Sequence, residues 1–287
     1  MSGSGSRLDG PPSRIVAPPS GHPAGWYPDP YGAPAHRYYD GRAWTPHMSG
    51  HFRPVERPEH ATLDVRAAIG AALVLLVSLV ASRYVIEALV RFEWPIAVYA
   101  AIAALIGYGP SVLWCVVAAR RWGTGRFFED TGMQVRWVDL GWGPLAWISA
   151  LVGQTLVVAL IEAFDIPLVG NTEGISDFGR DRTYVISLLV TTVVAAPVVE
   201  ELVFRGVMLR GLRSRMPAVV AVGVQGVVFG LAHFDPVRGR GNIGLVMVLT
   251  AVGVVFGGTA YLVRRIGPTI IAHAIFNGVV MAVVLTR

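Results

Sequence analysis

The chain has 287 residues, of which 53% are hydrophobic and 15% charged, and its mean hydropathy is +0.54. Soluble domains carry about 25% charged residues, so this balance excludes an ordinary two-domain soluble protein and points to a chain that crosses a membrane repeatedly. The formal charge of +5 rests on arginine alone, no lysine being present, which suits membrane orientation better than nucleic-acid binding; the single Cys115 excludes an intrachain disulfide framework and a cysteine-based zinc site.

Residues 1–23 are rich in Ser, Gly and Pro and read as a disordered leader, because so few apolar groups cannot offset the entropy of ordering. They do not read as a cleavable signal, since the first long apolar run begins near Arg66, too late and too long for one. In residues 24–48, Gly25-Trp26-Tyr27-Pro28-Asp29-Pro30 is followed by Arg37-Tyr38-Tyr39-Asp40-Gly41 and then Trp44-Thr45. Asp40-Gly41 is a hairpin-turn signal, and the flanking aromatics predict two short strands packed on each other. This stretch resembles a short bacterial module of unknown function, DUF2510, with Tyr38-Tyr39 where that pattern commonly has tryptophan. Two readings of these residues stay open: a small contact module at a protein or membrane surface, or an aromatic mini-core that merely folds. Residues 49–64 read as a linker and 65–287 as one membrane domain.

From Ala67 onward, apolar runs of the roughly 20 residues needed to cross a bilayer recur. The expected fold is an all-α polytopic bundle of seven spans, at 67–90, 95–119, 144–163, 184–206, 217–235, 243–263 and 267–285, with room for a short eighth. Twelve arginines fall in the connections on one side and six on the other, which predicts a cytoplasmic N-terminus and an external C-terminus in the cell membrane. Residues 24–48 would then be free to make a cytoplasmic contact.

An ionisable side chain at the bilayer centre costs about 2.5–3.5 kcal/mol on insertion scales, so each needs a partner or a purpose. Arg83 and Glu87 are four apart and explain each other as an intrahelical pair. Glu200, Glu201 and Arg205 in the fourth run, His233 in the fifth, and His273 and Asn277 in the seventh are not so easily explained. Glu201 and Arg205 share a helix face at i, i+4, which leaves Glu200, about 100° round the helix, to face elsewhere. His273 and Asn277 share a face in the same way. Gly226 with Gly230, and Gly253 with Gly257, are small-xxx-small pairs that let helices approach closely and bring these polar faces together. Counted along straight helices at 1.5 Å per residue, Glu200, His233 and His273 lie about 15, 24 and 9 Å from the inner ends, so their meeting requires strong tilt or a broken segment.

Three motifs occur in order: Glu200-Glu201-xxx-Arg205, Phe229-xxx-His233 and His273-xxx-Asn277. Over residues 65–285 the chain resembles the CAAX-protease and bacteriocin-processing family of intramembrane endopeptidases, which includes the Rce-type prenyl-protein endopeptidase. The resemblance implies that Glu200, assisted by His233, activates a water, that His273 and Asn277 stabilise the oxyanion, and that Glu201 with Arg205 holds the helix in register. The substrate would be a membrane-associated peptide or protein, including one with a lipidated, CAAX-like end. Two cofactor readings stay open: a divalent metal such as zinc on Glu200, His233 and His273, or a metal-free glutamate mechanism, since Asn is a poor zinc ligand. Two other function classes remain beside it. A non-catalytic scaffold or immunity-type protein of the same fold would not need all four polar groups, and a proton-coupled transporter would carry an inverted repeat, which the sequence does not show.

Overall fold

The computed structural model describes residues 23–33, 35–51, 63–170, 182–235 and 239–286. The expected leader before Pro23 and most of the expected linker lie outside these residues. The chain divides into two compact units, Met1–Glu59 and His60–Arg287.

The first unit is a three-stranded antiparallel sheet in the order β1 (Gly25–Pro28), β2 (Ala35–Tyr39), β3 (Trp44–His51). The Asp40-Gly41 turn joins β2 to β3 as the sequence predicts, and β1 adds a third strand where two were expected. Gly41 takes a φ of 92°, a region open to glycine, while Asp40 Oδ1 accepts from the amides of Arg42 and Ala43 at 2.7 Å each. Those two amides hold the Asp40 carboxyl below its ordinary range. The aromatics alternate with the pleat. Trp26 meets Tyr38 edge-on at 5.2 Å, and Tyr27, Tyr39 and Trp44 form a second cluster with centroids 5.3 to 6.3 Å apart. Asp29 ties the turn after β1 to β2. Burial alone would raise its carboxyl, but Arg37, donating from Nε at 2.5 Å, and the Ala33 amide at 2.9 Å together hold it below its usual value.

The second unit is helical. Six helices among the described residues are long and apolar enough to span a membrane: α1 (Val65–Leu89, extended by a 3-10 turn to Phe92), α2 (Ile96–Trp122), α4 (Asp139–Ala163), α5 (Arg182–Leu212), α7 (Ile243–Val263) and α8 (Gly267–Leu285). A short α3 (Phe127–Thr131) lies between α2 and α4. The expected fifth span is instead α6 (Ala218–Leu231), whose 14 residues make it a shorter apolar helix. At 1.5 Å per residue that is about 21 Å, well short of a ~30 Å hydrocarbon core. The apolar run continues to Phe234, but the backbone leaves the helix at Ala232 and turns there. Among the described residues, six span-capable helices and one shorter apolar helix therefore stand where seven spans were expected.

Small residues set the packing. A Cβ on Gly70 would fall within 1.9 Å of the Trp114 ring, whose Nε1 donates to the Ala67 carbonyl at 3.0 Å, so α1 and α2 lie in close contact. The glycine pairs on α6 and α7 meet as the sequence predicts: a Cβ on Gly253 would lie 2.9 Å from Gly226 Cα, and one on Gly230 only 2.5 Å from the Val246 carbonyl. Asp139, which starts α4, is fully buried against Arg265 at the α7–α8 turn. The expected Arg83–Glu87 pair forms at 2.9 Å.

α5 is not a uniform helix. It is α-helical over Arg182–Leu189, widens to π over Val190–Ala195, returns to α over Ala196–Glu201, widens again over Leu202–Met208, and closes with an α turn at Leu209–Leu212. Such widened turns are uncommon and concentrate at functional sites. At 31 residues α5 also runs beyond the expected 184–206. The overlong α5, its two widened turns and the short α6 are where the bundle departs from the straight helices assumed in counting depths.

Candidate active site

The two glutamates close the short α segment between the π stretches, and successive residues there point about 100° apart. Glu201 turns inward and is fully buried. Its Oε1 accepts from Arg205 Nη1 at 2.9 Å, the i, i+4 pair expected, and also from His273 Nδ1 at 3.0 Å across to α8. Arg205 is likewise buried; its Nη2 donates to the Gly253 carbonyl at 3.2 Å, and its guanidinium lies 4.5 Å from the Phe229 ring centroid and 5.5 Å from that of Phe256. The charged pair is thus backed by a second hydrogen bond and two aromatic faces, which a buried ion pair needs to offset desolvation.

Glu200 faces a cavity of about 620 Å³. Its Oε1 accepts from the Tyr108 hydroxyl of α2 at 3.2 Å, and Oε2 is buried with no direct hydrogen-bond partner. Two imidazoles face that oxygen, His233 Nε2 at 3.9 Å and His273 Nε2 at 3.9 Å. Their tautomers follow from what lies behind each ring. His233 Nδ1 is 2.8 Å from the Phe229 carbonyl, which only accepts, so Nδ1 carries the hydrogen. His273 Nδ1 faces the Glu201 carboxylate and carries one too. In the neutral rings both Nε2 atoms therefore present lone pairs toward a carboxylate oxygen. Three acceptors converge with no donor among them.

Phe229 joins the two layers, its ring 4.9 Å from His233, 5.9 Å from His273 and under the Arg205 guanidinium. Asn277 lines the same cavity one turn after His273; its Nδ2 donates to the Thr192 carbonyl, inside the first π stretch, at 2.8 Å. One N–H of that amide remains beyond this bond.

Of the six residues singled out in sequence, Glu200, His233, His273 and Asn277 line one cavity, while Glu201 and Arg205 stand behind it and reach it through His273. Tyr108 and Gln154 also line it and were not singled out. The signal available for both was a neutral polar side chain in mid-span, which a search for charges passes over.

Among the described residues no three His, Cys, Asp or Glu side chains are clustered as a metal site. Glu200, His233 and His273 match a zinc ligand set in kind, each imidazole anchored through its other nitrogen as a ligand histidine is. Their 3.9 Å spacing is wider than the about 3.3 Å between ligands of a closed tetrahedral zinc shell.

Two segments of the chain match family models. Residues 24–61 match DUF2510, a protein family of unknown function. No curated protein and no solved structure matches the chain. Residues 182–279, which carry all three motifs from Glu200 to Asn277, match the family described as type II CAAX prenyl endopeptidase, Rce1-like.

Proposed function

We propose that this membrane protein is an intramembrane endopeptidase that hydrolyses a peptide bond of a membrane-associated peptide or protein by glutamate-activated water. The observation that carries the reading is the convergence of Glu200 Oε2, His233 Nε2 and His273 Nε2 on one point of the cavity. A water there donates to Glu200 and to an imidazole, meeting an acceptor that otherwise lacks a partner. Its oxygen is then held in place for attack on a carbonyl.

The steps follow from the side chains. Glu200 takes a proton from the water as its oxygen adds to the carbonyl carbon, with Tyr108 holding the other carboxylate oxygen still. The remaining Asn277 N–H donates to the developing oxyanion. His273, anchored through Nδ1 to Glu201 at 3.0 Å, accepts the water's other hydrogen at Nε2 and so aims the attacking oxygen. As the carbon–nitrogen bond breaks, Glu200 returns its proton to the leaving amine. A divalent ion such as zinc, when bound, would be held by Glu200, His233 and His273 and would supply Lewis-acid polarisation and a more acidic water.

The family match over residues 182–279 supports a CAAX-type substrate, with a lipidated C-terminus as the chemistry to try first. The arginine asymmetry supports a cytoplasmic N-terminus in the cell membrane, with the aromatic sheet available for a cytoplasmic contact. The test is cleavage of a farnesylated peptide ending in Cys-Val-Ile-Met, and of unlipidated apolar peptides, by the detergent-purified chain. Cleavage is expected to vanish in Glu200→Gln; equal cleavage by that variant removes the peptidase reading, and a chelator titration decides the cofactor.

A further inference from the structure

α4 contributes Gln154 and Val158, four residues apart and so on one helix face, to the wall of the cavity. Gln154 Oε1 is buried and has no hydrogen-bond partner, and among the described residues no hydrogen bond engages the amide nitrogen. Ser149 and Thr155, on the same helix, donate to the carbonyls four residues back at 2.8 and 2.9 Å. Gln225 on α6 also has a buried Oε1 without a partner, but its Nε2 is anchored to the Gly253 and Val222 carbonyls, whereas neither end of the Gln154 amide is held by a hydrogen bond among the described residues. A whole amide turned into an otherwise apolar wall of Val158, Leu245, Val248, Leu249 and Val252, with no such partner, marks a place where a ligand supplies the complementary groups.

We propose that Gln154 is a substrate-binding residue that pairs with the backbone of one extended substrate residue, Oε1 accepting that residue's N–H and Nε2 donating to that residue's carbonyl, so that the cavity admits the substrate only as an extended chain. The N–H and C=O of one trans peptide unit point in opposite directions, but those of one extended residue share a side, and a primary amide, with its acceptor and donors adjacent, is their complement. Lipid chains and ester groups offer no N–H for Oε1. A transmembrane helix has its own backbone groups bonded internally and offers none either, so a segment must unwind before Gln154 engages it. Gln154 thereby selects against an intact helix, while the valine and leucine wall accepts apolar side chains beside the bound residue.

This inference rests on the peptidase reading, and its test separates the two. The probe is the farnesylated Cys-Val-Ile-Met peptide together with a set of analogues, each N-methylated at a single backbone position. With the wild-type chain, one analogue is expected to raise KM about tenfold, the loss of roughly one well-made hydrogen bond. Gln154→Leu is expected to raise KM for the parent peptide by a similar factor, leave kcat within about twofold, and abolish the discrimination between parent and that analogue. Should Gln154→Leu fail to fold in detergent, Gln154→Asn, which keeps the amide but shortens its reach, carries the same comparison. An unchanged KM, or a loss confined to kcat, overturns the proposal while Glu200→Gln still abolishes cleavage. Absence of cleavage of every probe by the wild-type chain overturns both readings.

Discussion

His273 on α8 donates from Nδ1 to the Glu201 carboxylate of α5 at 3.0 Å, so the glutamate that does not reach the cavity orients an imidazole that does. The same Oε1 takes the Arg205 guanidinium at 2.9 Å. Adjacent glutamates therefore have different surroundings: Glu201 ties together the interior, and Glu200 faces the cavity.

That division predicts opposite phenotypes for the same substitution. Glu201→Gln leaves Arg205 as an uncompensated buried charge and should cost about 3–5 kcal/mol. Glu200→Gln removes no comparable partner and should melt close to the wild type while losing cleavage. Thermal unfolding in detergent, followed by circular dichroism, reads both; similar melting temperatures for the two variants would contradict the assignment.

Tyr108→Phe deletes the hydroxyl that holds Glu200 Oε1 and little else. Hydrogen bonds to charged groups contribute about 1.5–3 kcal/mol, so kcat should fall by at least about tenfold with KM little altered. Steady-state kinetics on the farnesylated peptide test this, and an unaltered kcat would remove Tyr108 from the site.

The glycine contacts between α6 and α7 predict a contrast on one helix. A Cβ on Gly226 would lie 2.6 Å from Val254 Cγ2 and 3.0 Å from its backbone nitrogen, whereas one on Gly223 meets nothing within 4 Å. Gly226→Ala should cost about 1–3 kcal/mol and weaken cleavage by displacing the helix that carries Phe229 and leads into His233. Gly223→Ala should be neutral or slightly stabilising. Melting temperatures and turnover of the two variants side by side decide the matter.

In the N-terminal sheet, Asp29 has its carboxyl held below the ordinary value of 3.8 by Arg37 and Ala33, against the effect of burial. A carboxyl depressed in the folded state contributes stability that is complete above its unfolded value and lost as pH falls through the folded one. The sheet should thus persist through mild acid and loosen only below the usual carboxylate range, and Asp29→Asn should weaken it at neutral pH while flattening that acid dependence. Indole N–H resonances of Trp26 and Trp44 in the tryptophan-labelled full chain report the transition; loosening near pH 6 would contradict it.

The parts legible in the sequence were those where a lipid environment makes a residue expensive. Glu200, His233 and His273 stood out because charge and imidazole are rare in apolar runs, and Glu201–Arg205 because helical spacing is local. The α6–α7 contact was legible because paired glycines four apart have few other uses. Boundaries failed where charge was buried and paired: α4 starts at Asp139 because Arg265 neutralises it, and α5 runs past Arg205 and Arg210 to Leu212. Hydropathy took the fifth run as a span because it cannot distinguish a helix from an apolar turn, and the chain turns at Ala232. The His273–Glu201 bond, between residues 72 apart in sequence, has no local signature at all.

The widened turns at Val190–Ala195 and Leu202–Met208 bracket the Glu-Glu step on both sides. Excising a single residue from the first would let that stretch relax to ordinary α winding, swinging Thr192 away from Asn277 by about 100° while Glu201 and Arg205 kept their mutual spacing. The first collar lies wholly ahead of the ion pair while the second holds Arg205 itself, so the angular alignment of α5 with α8 can be retuned from the first alone without rebuilding the pair beneath it.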